Sequence, residues 1–275
     1  MNQIPKREFP LRFDNQPDQK PFVFEMNDSG RGLVLTVRAS GGESRTALLP
    51  ALSDGPLAQM TKYVGECAKA FVADVAGLHE SFKGGELTNR IRSAAAARLG
   101  KACGQLQSQG IKEAQDVAAS RAALTAVDPA TVATAHLRAD ALAKWNAADR
   151  AGREAVAISE ATPYETTAAL IESGALTAVS DRARDAATER YMAQRLVAKS
   201  GSTAAHQIAP TYERPLAVGP DHRAAREAAT DELNKLTARA EAVASVEDML
   251  RRICDVLSPA TNLSPHDIYN TFDRK

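Results

Sequence analysis

Apolar residues recur every seven positions over two long stretches of this 275-residue chain, and that spacing constrains the fold more than any single motif. Leu57, Val64, Phe71 and Leu78 form the first row, with Met60 and Cys67 beside it. Ala229, Leu236, Val243, Leu250 and Leu257 form the second, with Leu233, Ala240, Val246 and Ile253 alongside. Seven residues are two turns of α-helix, so each row is one apolar face that something must cover. Alanine is about a fifth of the chain and aromatic residues only 5%. Small side chains favour helix and allow close helix–helix approach, but each buries little.

Between the two rows the helical period continues. Leu87, Ile91, Ala95, Leu99, Cys103 and Leu106 predict a second helix that breaks at Gly110, and a third is expected from Ile111 to Val127. Asp128-Pro129 reads as an N-cap followed by proline at the first helical position, opening a long helix through Trp145 towards Ile158. Thr162-Pro163-Tyr164-Glu165 has the spacing of a capping box. Gly174 is expected to interrupt the helix that follows, with a restart at Ser180-Asp181 and an end near Lys199. Asp221 opens the helix of the second heptad row, and Ser264-Pro265-His266-Asp267 is a last capping signal.

The first fifth of the chain is different. Pro5, Pro10, Pro17 and Pro21 each remove a backbone donor and hold their predecessors extended, which predicts an arm over residues 1–20. Phe22–Met26 and Leu33–Val37 are β-prone runs separated by the turn formers Asn27–Gly32, the pattern of a hairpin. An isolated hairpin is marginal in water, so its apolar face must lie on the helical body or on another chain. The expected fold is mainly α: an alanine-rich antiparallel helical bundle with an N-terminal extended arm and β-hairpin. Its segments are 1–53 (arm plus hairpin), 54–199 (helical body), 200–219 (irregular loop) and 220–275 (long C-terminal helix and short tail).

The search for chemistry finds little at motif spacing. Cys67, Cys103 and Cys254 form no CxxC pair, and His79, His136, His206, His222 and His266 form no HxxxH or HExxH pair, so no cofactor and no metal are expected. Gly30-Arg31-Gly32 and Gly41-Gly42-Glu43-Ser44 lack the spacing and lysine of phosphate loops and read as turns. The 34 basic and 34 acidic side chains cancel, which argues against a surface built for polyanions. The densest basic stretch, Arg182, Arg184, Arg190 and Arg195, alternates with Asp181, Asp185 and Glu189 and reads as a solvated helix face. Nucleic acid is therefore not expected as a partner. No run approaches the roughly 18 apolar residues of a membrane span, and Met1–Pro10 lacks the apolar core of a signal peptide, so a chain made in the cytoplasm is expected.

What remains is contact. An extended arm, a lone hairpin and a long irregular loop gain most by lying on a neighbouring chain, which satisfies their backbone groups. The expected function is a non-enzymatic structural or assembly protein, a homo-oligomer or part of a multi-protein assembly such as a bacterial or phage particle, with a virion component as the specific form. The expected contact residues are Phe22, Phe24, Leu33 and Leu35 in the hairpin, and His206, Tyr212, Glu213 and Arg214 in the loop. Tyrosine and arginine are over-represented at binding hot spots. The competing expectation is a helical adaptor or regulator that binds a protein or nucleic-acid partner. An enzyme with a site assembled only in space would instead show a pocket where a histidine or cysteine meets a carboxylate.

Overall fold

The computed structural model of the chain describes residues 21–199 and 206–272. The arm expected over residues 1–20, and the first six residues of the loop, lie outside the described residues. The fold is mainly α, with one small antiparallel sheet. The chain divides into two compact units, residues 1–110 with 245–275, and residues 111–244.

The first unit opens with the sheet. Strands β1 (Phe22–Asp28) and β2 (Gly32–Ala39) form the expected hairpin, and a third strand, β3 (Ser44–Pro50), extends it to a meander in the order β1-β2-β3. Strand β3 lies outside the expected hairpin; it offers only Ala47 and Leu49 as apolar partners for the core face and ends on proline. Register pairs Phe24 with Val37, Met26 with Leu35, Leu33 with Leu49 and Leu35 with Ala47, so these residues share one face. That face is covered by α1 (Pro56–Ser81): Phe24 meets Phe71 edge-on, ring centroids 5.1 Å apart at 79°. The approach is close because Gly65 of α1 is buried there; a Cβ on it would lie 3.0 Å from Leu33 Cδ1.

Helix α1 buries Leu57, Val64 and Phe71 from the heptad row. The second buried row is Thr61, Ala68 and Val75, four residues on from each, rather than Met60 and Cys67, which are half-buried. The next helix keeps its expected stripe, since Leu87, Ile91, Ala95, Leu99, Cys103 and Leu106 are all buried. Four-residue steps drift about 40° each in a pure α-helix. The drift is taken up by a π-turn, Ala96–Gly100, between α2 (Gly84–Ala95) and α3 (Lys101–Thr125). Residues 245–261 of α8 (His222–Thr261) complete the unit with buried Val246, Met249, Ile253 and Leu257, followed by α9 (Pro265–Asn270). Arg92 Nη2 donates to the Thr261 carbonyl at 2.8 Å and so caps the C-terminus of α8. Ser264 and Asp267 form the expected capping box of α9.

The second unit contains the remaining helices: α4 (Ala135–Ala147), α5 (Arg150–Ile158), α6 (Tyr164–Glu172) and α7 (Asp181–Lys199), with residues 111–125 of α3 and 222–244 of α8. Its core joins Trp145, Leu170, Leu176 and Val179 to the fully buried alanines Ala157, Ala183 and Ala187. Four expectations are corrected here. Helix α3 does not break at Gly110, which is buried inside it. No helix starts at Pro129; α4 begins six residues later, because Asp128 is engaged by arginines rather than capping. The run towards Ile158 is two helices, separated at Ala148 and restarted by Asp149, whose carboxylate accepts from Gly152 N at 2.7 Å. The Thr162 capping box is also absent, since its hydroxyl donates to the Val156 carbonyl and α6 starts at Tyr164. The expected interruption at Gly174 and restart at Asp181 are present.

Two tests follow from this geometry. Gly32 has φ +144°, and a Cβ there would lie 2.1 Å from the Leu49 carbonyl oxygen. Gly32→Ala should cost about 3 kcal/mol or more, against about 1 kcal/mol for Gly30→Ala, which meets only a left-handed backbone and open space. Urea midpoints followed by circular dichroism compare the two. Deleting the exposed Ala97 should convert the π-turn to α-helix and leave both flanking faces in place. Deleting the exposed Lys69 of α1 rotates Phe71 and Val75 about 100° away from the core face, and should abolish a cooperative thermal transition that the Ala97 deletion retains.

Candidate functional site

Among the described residues of the second unit four large apolar side chains are almost fully exposed: Val132, at 98%, in the connection between α3 and α4, and three in the described part of the loop. Tyr212 is 98%, Leu216 89% and Val218 87% exposed, with Ile208 at 36%. The backbone beneath them is partly paired with itself. Ile208 N donates to the Gly219 carbonyl at 2.9 Å and Asp221 N to the His206 carbonyl at 2.7 Å, closing the base around the Gln207–Pro220 bridge. Thr211 and Arg214 exchange both backbone hydrogen bonds, at 3.2 and 3.1 Å, leaving Tyr212 and Glu213 as a two-residue tip. The Thr211 hydroxyl accepts from Arg214 N and donates to Glu213 Oε2 at 3.3 Å. The Asp221 carboxylate then caps α8 by accepting from Arg223 N and Ala224 N, both at 3.0 Å. Of the expected loop residues, Tyr212, Glu213 and Arg214 are thus exposed together at a closed tip, and His206 is half-buried at the base.

The hairpin residues behave differently. Phe24 is buried against Phe71 and Leu35 is completely enclosed, so neither is available for contact on the folded chain. Phe22 and Leu33 are half-buried on the same face. The hairpin satisfies its apolar face on its own helix α1, which removes the physical reason for expecting another chain there. The opposite face carries Val23 and Leu48, 36% and 40% exposed, beside the Glu25–Arg38 ion pair at 3.1 Å.

Sequence reasoning missed a buried polar cluster in the second unit. Arg138 is 6% exposed; its Nε donates to Glu165 at 2.7 Å and its Nη1 to Glu172 at 3.0 Å and the Asp128 carbonyl at 2.9 Å. Burial works to lower the Arg138 pKa, but the hydrogen-bonded carboxylates of Glu165 and Glu172 outweigh it and hold it above its ordinary value. Arg195, 3% exposed, donates to the Asp128 carboxylate at 3.1 Å and to the Tyr191 hydroxyl at 3.4 Å. Tyr191 stacks on Tyr164, centroids 5.3 Å apart at 12°. Burial, then the hydrogen bond to Tyr191, pushes the Tyr164 phenol up. Arg190 Nη1 donates to the carbonyls of Ala157 and Ser159, both at 2.8 Å, capping the end of α5. Burial pushes its pKa down, with Glu160 opposing.

Two of the four arginines read as a solvated face therefore point inward, while Arg184 does pair with Asp181 at 2.7 Å as the alternation implied. The available signal was the spacing Ala183-Ala187-Tyr191-Arg195, a four-residue row whose first three members are obvious core candidates. Its hydrogen bonds tie α4, α6 and α7 to the segment around Asp128, while the Nε atoms of Arg190 and Arg195 are buried without a hydrogen-bond partner among the described residues.

The cysteines belong to the first unit. Cys103 and Cys254 are buried and Cys67 is half-buried. Burial, with the charge of Asp255 adding, pushes the Cys254 thiol up to about 12, and burial pushes Cys103 up as well. Among the described residues no group of three histidine, cysteine, aspartate or glutamate side chains is placed to hold a metal ion. No described helix is long and apolar enough to cross a membrane.

Asp128→Asn should cost about 1–3 kcal/mol, because it strips the charge partner from a buried guanidinium while the half-exposed Asp128 itself is solvent-screened. Arg195→Met in the same background should recover most of that loss, as read from urea midpoints in a double-mutant cycle. For the thiols, an aromatic disulfide reagent at pH 8 should label Cys67 in the native chain and reach Cys103 and Cys254 only in denaturant, because the protonated buried thiols are poor nucleophiles. Comparison with protein-family models, with curated proteins and with solved structures finds no match to this chain.

Proposed function

We propose that this chain is a non-enzymatic structural subunit that assembles with copies of itself or with other proteins, in a larger particle of the bacterial or phage kind, through the loop of residues 206–219. The observation that supports this reading is the loop tip. Tyr212, Leu216 and Val218 are almost fully exposed on a backbone closed at its base and tip by its own hydrogen bonds. A backbone closed by its own hydrogen bonds loses less conformational entropy on docking than a floppy segment would. The neutral charge of the chain, and the acid–base pair Glu213 and Arg214 at the tip, fit a protein surface better than a polyanion.

Sedimentation equilibrium of the full chain from about 5 to 500 μM tests the reading. The expected result is concentration-dependent self-association, weakened at least tenfold by the double variant Tyr212→Ser/Leu216→Ser with unchanged circular dichroism. A chain that stays monomeric across the range, or variants that associate as the parent does, would overturn the self-assembly form of the proposal. Retention of the chain on DNA or RNA at physiological ionic strength would favour the adaptor reading in its place.

A further inference from the structure

We draw no further inference here: the strongest candidate, the exposed apolar patch of Tyr212, Leu216 and Val218 on the loop of the second unit, belongs to the site already described, and nothing in the structure shows what covers it.

Discussion

Close packing of alanine-lined helices governs the second unit, and its polar interior follows from it. Burying one methyl contributes only about 0.8 kcal/mol, so Ala157, Ala183 and Ala187 let helices approach without supplying much driving force. Trp145, Leu170 and Tyr191 provide most of the bulk. The remaining space is filled by long unbranched side chains whose aliphatic stems pack and whose charged ends must find partners. Arg138, Arg190 and Arg195 have this role: each donates to carbonyl or carboxylate oxygens, although the buried Nε atoms of Arg190 and Arg195 have no partner among the described residues. A guanidinium brought this far inside is tolerable only where such acceptors converge, because an unpaired buried charge costs several kcal/mol.

That arrangement explains why the chain between α3 and α4 departs from its local signals. Asp128-Pro129 is a strong helix-opening pair in isolation, worth about 1 kcal/mol as a cap. Here the Asp128 carboxylate instead meets Arg195, its carbonyl meets Arg138, and the Ala126 carbonyl accepts from Tyr191. Compensating two buried cations outweighs one cap, so the helix begins at Ala135. Helix α6 starts within a residue of its expected position, but Glu165 answers Arg138 instead of closing a capping box. At Asp128 a local preference of about 1 kcal/mol yields to the larger demand of buried cations for acceptors.

Periodicity was therefore legible and pairing was not. The leading apolar rows of α1, α2 and α8 can be read from spacing alone, because burying one helix face is a property of a single segment, although the second row of α1 falls on Thr61, Ala68 and Val75 and not on Met60 and Cys67. The turn at Asn27–Gly32, the restart at Asp181 and the box at Ser264 are likewise local. Strand β3 was missed because its alternation is completed by alanine and becomes apolar only against β2. The inward turn of Arg190 and Arg195 was missed because their acceptors lie about 30 and 67 residues away in sequence. Phe24 and Leu35 differ from their expected contact role for a related reason: a sheet face that needs a cover does not say whose helix supplies it.

The loop at residues 206–219 leaves apolar surface exposed, as does Val132 in the connection between α3 and α4. Full burial of Tyr212, Leu216 and Val218 would contribute about 5–8 kcal/mol in total. Losing translational and rotational freedom costs an associating pair about 4–15 kcal/mol, so one such loop docked alone supports no more than a weak complex. A loop of this size becomes effective when several copies engage together, since each later contact forms at the high effective concentration set by the first. Individually weak, repeated contacts would suit the assembly proposed above, and a tight one-to-one complex would need far more buried surface than these three side chains provide.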